Sequence, residues 1–93
     1  MLRRMLVKRA ARAYSAQLPE WLAEYYALSE EYTIGQVRTG VRALRLDPSY
    51  IVLAFATYLS VKAFNSVVNE LPLRLSYDEA RALFFEARSL VSA

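Results

Sequence analysis

The segment DPSYIVLAFATYLSV, residues 47–61, carries no charged side chain after Asp47. A helix built from it has no strongly polar face to turn toward water, so its neighbours must cover it on nearly every side. Asp47 is a favourable N-cap residue, and Pro48 falls at the first helical position, where its missing N–H costs nothing. The segment is also shorter than the roughly 20 apolar residues that cross a bilayer. We therefore predict a buried central helix over residues 48–59. Its core side chains are predicted to be Ile51, Leu53, Phe55 and Leu59.

Hydrophobic spacing on both sides of this segment predicts further helices. Thr33 with Gln36, and Ser76 with Glu79, form capping boxes that mark two helix starts. Pro19 is expected to end the first helix or to bend it sharply, because proline breaks the hydrogen-bond pattern of a helix interior. The predicted helices cover residues 2–17, 20–28, 34–45, 48–59 and 77–91, with a shorter helical piece at 61–70. The expected fold class is all-α, a compact bundle of about five helices around the central one, with residues 1–93 in a single domain.

The composition excludes most catalytic and metal chemistry. The chain contains no histidine and no cysteine, and acid–base catalysis near neutral pH and most zinc sites depend on these residues. The carboxylate pair Glu30 and Glu31 is interpreted as a solvated turn, and the pair Asp78 and Glu79 as a helix start, because a calcium site needs more oxygen ligands. We therefore predict a non-enzymatic protein with no cofactor, no metal site and no small-molecule substrate.

The first predicted helix is amphipathic, basic and free of acidic residues. Its apolar side is predicted to carry Leu2, Leu6, Ala10, Ala13 and Tyr14. Its basic side carries Arg4, Lys8, Arg9 and Arg12. Such a helix can lie on an anionic membrane, bind a nucleic-acid backbone or act as an import signal. The tetrapeptide at residues 12–15 is similar to a mitochondrial processing site. The interpretation we favour is that the apolar side docks on the core and leaves the basic side in solvent.

A second cationic row lies on the predicted helix over residues 34–45. Arg38, Arg42 and Arg45 follow one another at i, i+4 and i+7. Gly40 inside this helix costs up to about 1 kcal/mol relative to alanine, which suggests close approach of another backbone there. Residues 34–59 also have the outline of a helix-turn-helix in a chain of net charge +3. However, the second of these helices offers almost no side chain that can read bases.

These observations predict a small interaction or adaptor protein that binds an acidic protein partner, or a second copy of itself, through its basic helix faces. The predicted partner-binding residues are Arg4, Lys8, Arg9, Arg12, Arg38, Arg42 and Arg45. Weak, sequence-nonspecific nucleic-acid binding and peripheral association with an anionic membrane are the alternatives. Because cysteine is absent, a cytoplasmic location is expected. The alternatives are the cytoplasmic face of the membrane and, less favoured, mitochondrial import.

Short features spread over most of the chain resemble a family of short bacterial proteins of unknown function. They are Arg9, Arg12, Tyr14 and Leu18-Pro19, then Tyr32-Thr33 with Gln36-Val37, then Tyr50-Ile51 with Ala54, and Leu59-Ser60 with Phe64. The resemblance implies a bacterial cytosol. It also implies that the arginine-rich opening belongs to the mature domain, and it brings no assigned activity.

Overall fold

The computed structural model describes residues 2–92 and gives side chains for residues 4–89. The chain forms helices α1 (Leu2–Tyr26), α2 (Ile34–Ala43), α3 (Val52–Tyr58), α4 (Val61–Val67) and α5 (Tyr77–Ser92), with 3-10 turns at Pro48–Tyr50 and Val68–Glu70. Residues 2–92 contain no strand, which confirms the predicted all-α fold. Over the same range, no helix combines the length and the apolar character needed to cross a membrane.

Helix α3 lies at the centre of the bundle, and all seven of its residues are buried. The side chains predicted for the core, Ile51, Leu53, Phe55 and Leu59, are each at most 4% exposed. Asp47 caps this region as predicted, since its Oδ1 accepts a hydrogen bond of 2.9 Å from the Ser49 amide. The predicted continuous helix over 48–59 is instead divided into the 3-10 turn and α3. The uncharged segment therefore occupies the predicted place in the core.

Helix α1 continues through Pro19, so the predicted division into helices at 2–17 and 20–28 is wrong. A proline in a helix interior costs about 3 kcal/mol, because it removes a hydrogen bond and its ring presses on the preceding turn. Leu18 and Leu22, on either side of this proline, are both fully buried, and burying such a side chain contributes about 1.5–3 kcal/mol. A break at Pro19 would carry Leu22 away from the core, so burial of the two leucines offsets the cost.

The buried stripe of α1 is rotated from the predicted one. Its members are Val7, Ala11, Tyr14, Leu18 and Leu22. Of the predicted apolar side, Tyr14 is buried, Ala10 and Ala13 are half-buried, and Leu6 is 40% exposed. Leu2 lies outside the described side chains. The spacing of 4, 3, 4 and 4 runs from Val7 to Leu22, across Pro19, so residues beyond Pro19 help to fix which face of the first half is buried.

Helix α2 begins and ends with recognisable backbone motifs. The predicted capping box is present, since Thr33 Oγ1 accepts from the Gln36 amide at 3.1 Å and Gln36 Oε1 accepts from the Thr33 amide at 3.0 Å. The helix ends two residues before the predicted boundary at 45, where Arg45 adopts a left-handed φ of 56°. The Leu46 amide then donates to the Val41 carbonyl at 3.0 Å. This is a Schellman motif, in which glycine usually takes the left-handed position.

Helix α5 packs mainly on α1 and α3. Its predicted capping box is present, with the Ser76 hydroxyl accepting from the Glu79 amide at 3.1 Å and Glu79 Oε1 accepting from the Ser76 amide at 3.4 Å. The predicted helical piece at 61–70 is α4 together with the following 3-10 turn. Helix α4 starts where Ser60 Oγ accepts from the Ala63 amide at 3.1 Å. The capping box of α5 is therefore placed as the sequence predicts.

Gly40 lies where α2 meets α1, and its close neighbours are side chains rather than the backbone that the sequence suggested. A Cβ atom added to Gly40 would lie 2.8 Å from Leu18 Cδ1 and 3.0 Å from Trp21 Cε3. Leu18 is fully buried and Trp21 is half-buried. Helices α1 and α2 therefore approach each other this closely because residue 40 lacks a side chain.

Gly40→Ala is expected to lower the free energy of unfolding by up to about 2 kcal/mol. Overpacking a filled contact costs about 1–3 kcal/mol, which exceeds the gain of about 1 kcal/mol in helix propensity. Gly35 is the matched control on the same helix, because the nearest atom to its added Cβ is Thr33 Oγ1 at 4.0 Å. Gly35→Ala is expected to raise the stability by a few tenths of a kcal/mol. Urea titration measures both, and a stabilising Gly40→Ala would contradict this packing.

Candidate functional site

The seven side chains predicted to bind a partner are all exposed, and they lie on two helices. Arg4, Lys8, Arg9 and Arg12 lie on α1, whereas Arg38, Arg42 and Arg45 lie on α2 and its C-terminal end. Among the described residues, the second group surrounds a cleft whose lining has no carboxylate, whereas the clefts beside the first group include Glu79 or Glu86. The two groups therefore differ in their surroundings, and each is described separately.

The arginine cleft is the concavity between the end of α2 and the chain that leads into α3. It is lined by Arg38, Val41, Arg42, Arg45, Leu46, Pro48 and Ile51 and has a volume of about 320 Å³. None of these lining residues is acidic. Val41, Leu46 and Ile51 are buried and form an apolar floor. The cleft therefore presents three positive charges around a hydrophobic surface.

Each arginine of the cleft is positioned by a different local feature. The Arg38 guanidinium lies over the Phe55 ring, 5.2 Å from its centroid, so a cation–π contact ties it to the central helix. Arg42 lies in the last turn of α2, where the carbonyl ends of the helix favour a positive charge. Arg45 occupies the left-handed position of the Schellman motif, which costs a non-glycine residue about 1–2 kcal/mol.

The basic side of α1 faces acidic groups of the same chain. Arg4 lines a cleft of about 520 Å³ together with Glu79. Lys8 and Arg12 line a smaller one of about 70 Å³ together with Glu86. These carboxylates of α5 reduce the local positive potential, although exposed pairs contribute only about 0–1 kcal/mol each. The α1 cations are therefore less available to an external anion than those of the arginine cleft.

A fourth concavity, here called the tyrosine pocket, was not predicted from the sequence. It lies where the connection between α1 and α2 meets the end of α3 and one face of α5, with a volume of about 580 Å³. Its lining residues are Glu30, Glu31, Thr57, Tyr58, Leu59, Ser60, Tyr77, Arg81, Phe85 and Arg88. The spacing of residues 77, 81, 85 and 88 along one helical face could have indicated the α5 wall. The part of the pocket formed by the end of α3 lies beside this α5 wall only because of tertiary packing.

Arg81 fixes the wall of the tyrosine pocket. Its guanidinium lies between the rings of Tyr77 and Phe85, at 5.1 and 5.3 Å from their centroids. Its Nη1 donates to the carbonyls of Ala56 and Thr57 at 3.0 and 3.2 Å. These carbonyls belong to the last turn of α3, where a helix lacks internal donors. Arg81 thus caps the central helix and joins it to α5.

Two buried tyrosines differ in how their hydroxyl groups are satisfied. The Tyr14 hydroxyl donates to the Asp47 carbonyl, and burial, with the Asp47 charge, raises its pKa far above the ordinary value. Burial also raises the pKa of Tyr58 to about 12, against the opposing effect of the nearby Arg88 charge. The Tyr58 hydroxyl is buried, yet it has no hydrogen-bond partner among the described residues. Such orphaned groups are uncommon in native proteins.

The remaining sequence-based candidates have ordinary surroundings. Among the residues that the structure describes, no cluster of three or more His, Cys, Asp or Glu side chains could hold a metal ion. Glu30 and Glu31 are exposed in the connection after α1. In the helix-turn-helix outline the second helix is α3, whose complete burial keeps it from entering a DNA groove. Within this outline, the basic side chains that an anion can reach are the arginines of α2.

Comparison with known proteins identifies a family for this chain. No curated protein and no solved structure matches it. The model of a family of unknown function, DUF6559, matches residues 2–90. This match covers almost the entire sequence, in agreement with the resemblance to an uncharacterised family seen in short features of the chain. The chain therefore belongs to the DUF6559 family.

Proposed function

We propose that this chain is a non-enzymatic interaction module that binds an acidic segment of a partner protein through the arginine cleft. The observation that supports it is the cleft itself, in which Arg38, Arg42 and Arg45 surround an apolar floor without any acidic residue in the lining. Of the predicted partner-binding residues, these three are the primary contacts. Arg4, Lys8, Arg9 and Arg12 form a secondary surface.

The chemistry of the cleft favours a segment that is both acidic and apolar. Guanidinium groups bind carboxylates through paired, charge-assisted hydrogen bonds. The floor of Val41, Leu46 and Ile51 accepts an aliphatic or aromatic side chain placed between those carboxylates. An amphipathic helix with acidic residues beside its apolar stripe combines the two features. Because the cleft is small, we expect an affinity in the micromolar range, about −8 kcal/mol or weaker.

Arg45 supports this proposal through its backbone conformation. Glycine would occupy the left-handed position at lower free energy, yet the chain carries an arginine there. A strained residue that projects a charge at the rim of a cleft is a reason to propose a binding role. We further propose that the chain acts in the cytoplasm and that this binding needs neither a cofactor nor a metal.

Fluorescence anisotropy with a labelled short helical peptide of glutamate and leucine tests the proposal. The intact protein is expected to bind it and to lose affinity as salt is added, because exposed charges are screened. Arg42→Glu should weaken binding at least about tenfold, since it replaces attraction by repulsion at the centre of the cleft. Arg45→Gly should also weaken binding while it raises the melting temperature, which separates loss of a contact from loss of folding.

Lys62→Glu is the matched control, because Lys62 is an exposed cation on α4 that lines none of the clefts described above. It should change peptide affinity by less than about threefold. The same peptide with glutamine in place of glutamate should bind weakly or not at all. Tighter binding of a short DNA duplex, of phosphatidylserine vesicles or of a second copy, seen by sedimentation, would contradict an acidic protein segment as the partner. An unchanged affinity of Arg42→Glu would contradict the cleft as its site.

A further inference from the structure

The tyrosine pocket contains a buried donor that the protein leaves unused. Tyr58 is 8% exposed and its hydroxyl is almost completely buried. The nearby Arg88 guanidinium can only donate toward its oxygen, and no described residue accepts its proton. A buried hydroxyl without a partner destabilises the folded state, so its presence in a pocket calls for an explanation. A ligand that accepts a hydrogen bond from this hydroxyl would provide that explanation.

The positive and negative side chains that line this pocket come from different parts of the chain. The positive side chains, Arg81 and Arg88, come from α5, whereas the negative ones, Glu30 and Glu31, come from the connection after α1. Arg81 already donates to the end of α3. Arg88 is exposed and close enough to Tyr58 to affect its hydroxyl. Arg88 and the Tyr58 hydroxyl are therefore the groups left for an anion.

We propose that the tyrosine pocket binds a small zwitterion, an amino acid or a short peptide. Its carboxylate accepts hydrogen bonds from the Tyr58 hydroxyl and the Arg88 guanidinium. Its ammonium group faces Glu30 and Glu31, whose charges disfavour a simple anion. The volume of about 580 Å³ lies within the range of small-molecule sites. Because the hydroxyl is almost completely buried, entry requires a neighbour to move, and Arg88 is an exposed side chain of the pocket lining.

NMR titration of the full-length, ¹⁵N-labelled protein tests this site with four probes. Norvaline carries both an ammonium group and a carboxylate. Pentanoate carries only the carboxylate, and pentylamine carries only the ammonium group. Divaline tests whether a short peptide binds. Norvaline or divaline is expected to give saturable shifts at the amides of Thr57, Tyr58 and Arg88. The two singly charged probes should bind at least about tenfold more weakly. Equal binding of pentanoate, or no saturable shift with any probe, would overturn the proposal.

Tyr58→Phe is the decisive variant, because it removes one oxygen and nothing else. It should weaken binding of the preferred zwitterion at least about tenfold. Its melting temperature should stay unchanged or rise, since none of the described residues accepts a hydrogen bond from the hydroxyl. Tyr14→Phe is the matched control: it removes a hydroxyl that donates to Asp47, so it should lower the melting temperature and leave binding unaltered. Retained zwitterion binding by Tyr58→Phe, or a fall in its melting temperature as large as that of Tyr14→Phe, would overturn the inference.

Arg42→Glu separates this inference from the proposed function. It alters the arginine cleft, whose lining shares no residue with the tyrosine pocket. Zwitterion binding by this variant should match that of the unmodified protein. A loss of zwitterion binding in Arg42→Glu would place the ligand in the arginine cleft and overturn the assignment to the tyrosine pocket.

Discussion

A chain that lacks residues 1–14 is expected to lose several kcal/mol of stability, enough to leave it largely unfolded. The deletion removes Val7, Ala11 and Tyr14 from the buried stripe of α1. Each large buried side chain contributes about 1.5–3 kcal/mol, and a domain has only about 5–15 kcal/mol in total. It also removes the hydrogen bond from the Tyr14 hydroxyl to the Asp47 carbonyl. Circular dichroism during thermal unfolding measures the loss.

Ala11→Glu reproduces the effect with a single side chain. Ala11 is completely buried and Ala16, on the same helix, is exposed. An unpaired carboxylate at position 11 should cost several kcal/mol, because its charge must be desolvated. Ala16→Glu, with the same helix propensity change, should alter the stability by less than about 0.5 kcal/mol. An unchanged melting temperature after the deletion would contradict a structural role for this helix.

The same deletion separates docking from membrane binding. Met5 and Leu6 are 66% and 40% exposed near the basic start of α1, which is the pattern a membrane-surface helix would use. We expect the intact protein to show little co-sedimentation with anionic vesicles, because the apolar stripe of this helix from Val7 to Leu22 is buried against the core. Strong vesicle binding that disappears with residues 1–14 would assign a membrane role to that end of the helix.

The parts of the fold that the sequence predicts are those determined by neighbouring residues. The Asp47 cap, the capping box of Thr33 and the buried segment that follows Pro48 all depend on side chains within a few positions. The course of α1 through Pro19 depends on where Leu22 is buried, which is a property of the assembled bundle. Local rules therefore predict a break at this proline, and tertiary burial outweighs them.

The two candidate sites also differ in whether local sequence patterns could predict them. The row of Arg38, Arg42 and Arg45 follows from helical spacing, so the sequence predicts it. The tyrosine pocket joins Arg81 to carbonyls 24 and 25 positions earlier in the chain. No local pattern indicates that contact, because it requires α5 to dock against the end of α3. The absence of a partner for the Tyr58 hydroxyl is likewise a property of the packed structure.

Phe55→Ala is expected to destabilise the protein by about 3–5 kcal/mol, the cost of removing a large aromatic side chain from a close-packed interior. Phe55 is 0% exposed at the centre of α3, so little of the resulting cavity can be filled by solvent or by movement of exposed groups. Urea titration should show the change as a lower midpoint. A loss of less than about 1 kcal/mol would mean that this ring is not part of the core.

Phe85→Ala is the matched control for the ring, because Phe85 is 45% exposed on α5 and its removal should cost about 1 kcal/mol or less.

Phe55 also contacts the Arg38 guanidinium, which lies 5.2 Å from the centroid of its ring. Phe55→Leu keeps most of the buried volume but removes the aromatic face, so it should release Arg38 from its fixed position. In a double-mutant cycle with Arg38→Ala, we expect a coupling of about 0.5–1 kcal/mol. Because Arg38 lines the arginine cleft, Phe55→Leu should also weaken binding of the acidic peptide, and by no more than Arg38→Ala itself. Full peptide affinity in Phe55→Leu, together with zero coupling, would show that the central helix supports the fold without positioning the cleft.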